Sequence, residues 1–313
     1  MLEKVKIGHF TDFQNGTGCT VIVPPERNIA SGCAFGAAPG TRELALLQPE
    51  KKVESIHALV LTGGSAFGLN AAQGVMEELA RRGKGFPTDY GPVPIVPAAV
   101  IFDKNVGNAH AFPGPEHGAL ALQNAQNNFE VMGNIGAGTG ATVGKWAGLK
   151  FAMKAGIGIS VNQFHSVEML AVTVVNAVGD VLDKNGKILA GAIDSAHTFL
   201  AEKNNRARWQ SPKVGLNQNT VLSAVLTNAR LTKTQAHYLA QRVHLALARM
   251  IEPSHTSFDG DVSFVVSLPE VDVPIDLTAA MLGETVEHSV INAVTSCESM
   301  FGHVGFKDLQ RMP

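Results

Sequence analysis

Between residues 220 and 268 the chain alternates two apolar runs with one amphipathic segment, an order of strand, helix, strand that calls for an α/β fold. The first run, Val221-Leu222-Ser223-Ala224-Val225-Leu226, is entered through Asn219-Thr220. The second, Val262-Ser263-Phe264-Val265-Val266, is entered through Asp259-Gly260-Asp261. Short, nearly continuous apolar runs are the pattern of buried strands. Between them Thr232-Lys233-Thr234-Gln235 is a capping box, with Thr232 as N-cap and Gln235 reaching back. Leu239, Val243, Leu247 and Met250 then recur at near-helical spacing and Pro253 closes the segment, so the pattern predicts a helix over 232–251.

Upstream, residues 1–50 are punctuated by glycine and proline, with Cys19–Val23 a short strand candidate. His57–Leu61 is predicted to be a buried strand running into Thr62-Gly63-Gly64-Ser65, and a helical face of Leu69, Ala72, Val75, Met76 and Leu79 follows until Gly83. The four prolines of 87–97 exclude a helix, and Val96–Phe102 is expected to be a strand beyond them. Asn134–Gly144 (NIGAGTGATVG) is the densest glycine loop, Val167–Val175 a strong strand ending at Asn176, and Gly179-Asp180 a turn. Residues 194–219 are polar and poorly patterned, the best linker candidate, and a last helix is expected over Glu284–Phe301. The 313 residues suffice for one large domain with a full core.

Composition narrows the function classes. Net charge is −2, so no basic field would draw nucleic acid, and the one basic cluster, Lys203–Arg208, fits a solvated loop. Cys19, Cys33 and Cys297 are too far apart and too few for a disulfide framework or metal pattern, and no H-E-x-x-H occurs, so neither metal nor cofactor is expected. With no apolar leader and no run of membrane-spanning length, the expected protein is soluble and cytoplasmic. Only 17% of residues are charged and 32 are glycine, which suggests a compact, oligomeric particle.

The glycine loops fail the nucleotide-binding spacings. A P-loop needs glycine where the chain has Thr139 and a hydroxyl residue where it has Trp146; Gly136, Gly138 and Gly140 alternate too strictly for a dinucleotide fingerprint. Gly63-Gly64-Ser65-Ala66-Phe67 misses a nucleophile elbow by its Phe67. These loops are better suited to close backbone approach around a pocket, for which Lys145 is a candidate cation.

The polar pairs at the strand mouths can carry chemistry. In an extended Asp259–Ser267, Asp259 and Asp261 would share a face with Gly260 leaving room between, and like charges that close raise one pKa. A plain Asp-Gly turn is the structural alternative. Thr220, between a loose linker and a buried strand, could attack the Asn219 carbonyl; the ester formed would hydrolyse and free an α-amine able to act as base for the same hydroxyl. Asn176 could offer its amide to an oxyanion, or merely close a strand.

Longer blocks carry a family likeness: Gly18-Cys19-Thr20-Val21, Ala38–Glu43 (APGTRE), Leu61–Leu69 (LTGGSAFGL), Val93–Val100 (VPIVPAAV) and Gly136–Trp146 (GAGTGATVGKW). The chain resembles, over essentially its whole length, the DmpA-type aminopeptidases: L-aminopeptidase/D-esterases, β-aminopeptidases and nylon-oligomer hydrolases. The resemblance implies a four-layer αββα sandwich, like that of the N-terminal-nucleophile hydrolases but with its own connectivity. It also implies autocleavage at Asn219-Thr220 into residues 1–219 and 220–313, and a homotetramer. It makes Thr220 the nucleophile, Asn176 the oxyanion support, Asp259 and Asp261 the orienting pair and Lys145 a lysine beside them. Asn-Thr with Asp/Asp is the pattern of the nylon-oligomer (6-aminohexanoate) branch, where Phe102 replaces a frequent tyrosine; Phe102 and Trp146 are the substrate-binding candidates. The expected activity is amide hydrolysis of short peptides or ω-amino-acid oligomers. An L-aminopeptidase/D-amino-acid esterase-amidase and an uncleaved, non-catalytic ligand binder stand as the alternatives.

Overall fold

The computed structural model describes residues 2–204 and 219–311. Of the expected linker, residues 205–218 lie outside the described residues, and with them Arg206 and Arg208 of the basic cluster. In chain order, the strands of the two large sheets are β1 (Lys6–Asp12), β2 (Thr17–Val23), β3 (Ile29–Ala34), β4 (Thr41–Arg42), β5 (Leu59–Thr62), β6 (Ala98–Val100), β7 (Ile157–Phe164), β8 (Val167–Asn176), β9 (Thr220–Ala229) and β10 (Val262–Val271). The longer helices are α1 (Ala71–Arg81), α2 (Pro115–Gln123), α3 (Lys233–Met250) and α4 (Ile275–Thr295).

One sheet has the order β1-β2-β5-β6-β4 and the other β3-β10-β9-β8-β7. β9 and β10 pair in parallel, as two strands joined through a helix must when the chain returns to the same side; β8–β9 and β3–β10 are antiparallel. Alternation along β9 explains its unbroken apolar run. Leu222, Ala224 and Leu226 meet Ile22, Leu59 and Leu61 of the other sheet, whereas Val221, Val225 and Ala229 meet Leu239, Val243 and Leu247 of α3 and Val286 and Val290 of α4. Both faces are therefore dry, and each fully buried aliphatic side chain contributes about 1.5–3 kcal/mol. Ser223, on the helix side, is satisfied by Thr173 (2.9 Å), which in turn meets Ser289 of α4 (2.7 Å). A third cluster packs Cys19, Val21, Val60 and Ala98 against Ala72, Val75 and Leu79 of α1 and Ala121 and Leu122 of α2.

The helix expected over 232–251 is present as α3: Thr232 Oγ1 accepts from the Gln235 N–H (3.2 Å), and the Gln235 side chain accepts from the Thr232 N–H (2.9 Å). The helical face after Phe67 begins as a 3₁₀ turn, Ser65–Asn70, and becomes α1 only at Ala71. The last helix, expected over 284–301, instead spans 275–295. It starts directly after Pro274 and is buried on a broad face, including Thr278, Met281, Leu282 and Gly283, so its early turns lack a polar stripe to mark them. The strand expected over 96–102 shrinks to β6, because Pro97 has no N–H for the ladder, although the Ile101 N–H still reaches the Thr62 carbonyl (2.8 Å). β1, β3 and β7 are absent from the sequence reading. β7 is buried only in its first half, and β1 only at Ile7 and Gly8, so neither carries a clean alternation.

Among the described residues no helix is long and apolar enough to cross a membrane. All three cysteines are free and buried.

Candidate active site

Three neighbouring strands of the second sheet deliver the polar groups to one spot. Asn176 is the last residue of β8 and Thr220 the first of β9, and the antiparallel register sets them opposite one another. Just ahead of β10, Asp259 pairs with Asn219 in an isolated parallel bridge. The Gly260 N–H donates to the Asn219 carbonyl (2.8 Å), and the Val221 N–H donates to Asp261 Oδ1 (2.7 Å). Asp259 and Asp261 thus lie in the approach to β10, which begins at Val262, rather than within the strand.

The Thr220 hydroxyl lies 2.5 Å from the Asn219 carbonyl oxygen, the same oxygen that Gly260 holds. Residue 260 must be glycine for this: a Cβ there would stand 2.4 Å from the Ala38 carbonyl oxygen and 2.9 Å from Thr220 Oγ1. Asn219 and Thr220 form one wall of a cleft of about 210 Å³ whose other walls include Pro39, Gly40, Ser65, Ala66 and Phe102. The glycine block Thr62–Ser65 supplies that wall through a left-handed turn at Gly64 (φ 85°) and Ser65 (φ 55°). The Gly64 N–H is held by Asp103 Oδ1 (2.7 Å).

Behind Thr220 the Asn176 amide is fixed at both ends. Its Nδ2 donates to the Phe102 carbonyl (3.0 Å), while its Oδ1 accepts from Lys145 Nζ (2.7 Å) and the Thr142 N–H (3.1 Å). Lys145 Nζ also donates to the Asn176 backbone carbonyl (3.0 Å). Lys145 is 2% exposed, no solvated lysine, and is absent from the cleft lining. Burial lowers its ammonium to about 7, against the opposing pull of Asp259 and Asp103.

The two site carboxylates are both buried and differently bound. Asp259 Oδ2 accepts from the Thr256 hydroxyl (2.7 Å) and N–H (2.8 Å), whereas its Oδ1 has no partner among the described residues. Burial first, and the charge of Asp261 second, raise Asp259 to about 6. Asp261 Oδ1 takes the Val221 N–H, and its Oδ2 lies 2.6 Å from His255 Nδ1.

Trp146 is placed apart from this group. Its indole N–H donates to Asp180 Oδ1 (2.8 Å), and it packs with Val178, Ile188 and Ala192 in a satellite cluster instead of lining the cleft. Sequence reasoning missed Asp103, Lys154 and His255, each a lone ionisable residue without a motif. Asp103 binds Thr17 Oγ1 (2.7 Å) as well as Gly64, and burial raises it to about 6. Lys154 donates to the Gly138 (3.1 Å), Ala141 (2.9 Å) and Ala155 carbonyls, pinning the glycine loop that leads to Lys145. Among the described residues no group of three His, Cys, Asp or Glu side chains could hold a metal.

The model of peptidase family S58 matches residues 2–307. The chain belongs to this family. It is 33% identical to an uncharacterized aminopeptidase of Mycobacterium leprae, over 96% of this chain and 91% of that protein. It is 30% identical to a 6-aminohexanoate-oligomer endohydrolase of Kocuria sp., over 93% of this chain and 81% of that protein. The fold is shared with the L-aminopeptidase D-Ala-esterase/amidase of Ochrobactrum anthropi, a variant of the Ntn hydrolase fold (TM-score 0.73, 19% identity, 98% of this chain and 90% of that one). It is likewise shared with a Burkholderia sp. beta-aminopeptidase (TM-score 0.72, 18% identity, 98% and 91%). The S58 chain described here is a hydrolase of C–N amide bonds.

Proposed function

We propose that the chain processes itself between Asn219 and Thr220 and then hydrolyses amides through Thr220. The observation that carries this reading is the Thr220 hydroxyl lying 2.5 Å from the Asn219 carbonyl oxygen, with the Gly260 N–H on the same oxygen. Attack of Oγ1 on the Asn219 carbonyl carbon closes a five-membered ring, and the Gly260 N–H stabilises the oxyanion. Collapse breaks the C–N bond, the nitrogen takes a proton, and Asn219 is left esterified on Thr220. Water then cleaves that ester to give an Asn219 carboxylate and a free Thr220 amine. The amine becomes general base for Oγ1 in each later turnover, which passes through an acyl ester on the same oxygen.

Among the described residues none that lines the cleft is charged, which favours an amide flanked by uncharged groups, as in short peptides or 6-aminohexanoate oligomers. The Kocuria relative is named for such oligomers. Exo-acting aminopeptidase activity, the reading favoured by the name of the mycobacterial relative, calls for a carboxylate to meet the substrate ammonium, and among the described residues no Asp or Glu lines the cleft.

Intact-mass analysis under denaturing conditions tests the reading: two species, residues 1–219 and 220–313, are expected. Before cleavage Thr220 has no free amine, so the hydroxyl proton must go to a side chain. Protonated Asp259 and Lys145 cannot take it, and they lose their protons as pH rises through about 6 and about 7. Cleavage of freshly translated chain should therefore accelerate from about pH 5 to about pH 8 and then level. A chain that stays uncut across this range would remove the proposal.

Gly260→Ala should slow cleavage by about tenfold or more, because the added methyl displaces either Thr220 Oγ1 or the Ala38 carbonyl. The melting temperature should fall with it, reflecting an overpacking cost of about 1–3 kcal/mol. Unchanged cleavage kinetics in a folded Gly260→Ala chain would count against the described alignment of Oγ1.

A further inference from the structure

We propose that His255 is a positioning residue: bonded through Nδ1 to Asp261 and through Nε2 to the His244 carbonyl, it keeps Asp261 ionised and aimed at the Val221 N–H, leaving the exchangeable proton of the carboxylate pair on Asp259. The inference rests on Thr220 being the nucleophile.

Hydrogen positions follow from the partners of the ring. Nε2 lies 3.0 Å from the His244 carbonyl oxygen, which can only accept, so Nε2 carries a hydrogen. Nδ1 lies 2.6 Å from Asp261 Oδ2, a distance at which two bare lone pairs would repel, so a proton also lies between these atoms. The remaining oxygen of Asp261 accepts the Val221 N–H at 2.7 Å, an arrangement that favours carboxylate over acid. The pair is therefore imidazolium and carboxylate, out of water, with side chains 12% and 3% exposed. Burial opposes the charge on His255, but the hydrogen bond and charge of Asp261, the His244 carbonyl and the charge of Asp259 together outweigh it and raise its pKa above the ordinary 6.5.

Among the described residues the ring is hydrogen-bonded to one group of opposite charge, Asp261. The rings of Phe35 and His244 meet it edge-on at 4.9 and 5.0 Å, respectively. Burial, and then His255 itself, lower His244 to about 4, so it is neutral at working pH. The charge of Asp259 also acts on the ring, and Asp259 in turn feels the charge of Lys145. The two aspartates consequently divide their duties. Asp261, neutralised by His255, clamps the start of β9; Asp259, with one oxygen held by Thr256 and the other without a partner among the described residues, is the member free to exchange a proton near Thr220.

The test uses the full chain in two forms. In a Thr220→Ala chain, which keeps the residue 219–220 bond, histidine-labelled NMR should show one imidazole protonated to above 6.5, assigned by its loss in His255→Gln. Asp261→Asn in that background should lower its titration by about one pH unit or more. In a chain with Thr220 intact, His255→Gln keeps an amide donor beside Asp261 but removes the positive charge. Asp259 then holds its proton to higher pH, and the acid limb of the cleavage profile should move up by about one unit. An imidazole that titrates below 6.5 whether or not Asp261 is present, or a His255→Gln profile superposed on that of the unaltered chain, would overturn the inference. Failure of the Thr220 reading is distinguishable, because the unaltered chain would then remain uncut at every pH.

Discussion

A Thr220→Ala chain should remain one polypeptide of 313 residues and hydrolyse neither short peptides nor 6-aminohexanoate oligomers above background. The same oxygen is proposed to open the chain and to carry the acyl group, so its removal ends both reactions, with a loss of about a thousandfold or more. The fold should survive. Thr220 is 5% exposed and gives up a methyl group and one hydrogen bond, a cost of about 1–3 kcal/mol. Thr220→Ser keeps the hydroxyl and should still cleave, more slowly, since the missing methyl no longer fixes the rotamer. Denaturing mass spectrometry and a melting curve on the same samples separate lost chemistry from lost structure. Processing and turnover in Thr220→Ala would sink the assignment of the nucleophile.

The second large effect is expected at Lys145, which never meets the cleft. Lys145→Met keeps the length of the side chain and removes its two hydrogen bonds to Asn176. The Asn176 amide oxygen would then keep the Thr142 N–H among its described partners, and the charge between Asp259 and Asp103 would vanish. Cleavage should slow by about a hundredfold or more, because the site loses a proton acceptor and Asn176 its fixed orientation. Stability should change far less. Removing a desolvated ammonium recovers part of what the orphaned carbonyls cost, for a net effect within about 1–3 kcal/mol. Cleavage at the ordinary rate in a folded Lys145→Met chain would show that Asn176 and Asp259 work without it.

Much of the site was legible because it sits where short-range patterns end. Thr220 and the two aspartates precede apolar runs, and Asn176 closes one; a strand buried on both faces announces itself by its continuity. The capping box at Thr232 was legible for the same reason, since a capped helix is specified within four residues. The last helix was misjudged at both ends because burial on a broad face erased its polar stripe, and β7 because half of it is exposed.

What the sequence determined by itself was the identity and order of the candidate reacting groups, together with the family blocks that span the chain. What only the tertiary structure decided was their meeting. Asn176, Thr220 and Asp259 are separated by 44 and 39 residues along the chain, and they converge because β8, β9 and β10 are neighbours whose register aligns their ends. His255, Asp103 and Lys154 carry no local signature, because a buried charge is specified by the carbonyls and carboxylates that surround it in space. Those partners come from segments up to 86 residues away, as Thr17 does for Asp103. Trp146 teaches the converse: it adjoins Lys145 in sequence, yet it turns into a satellite core, where Asp180 satisfies its indole N–H.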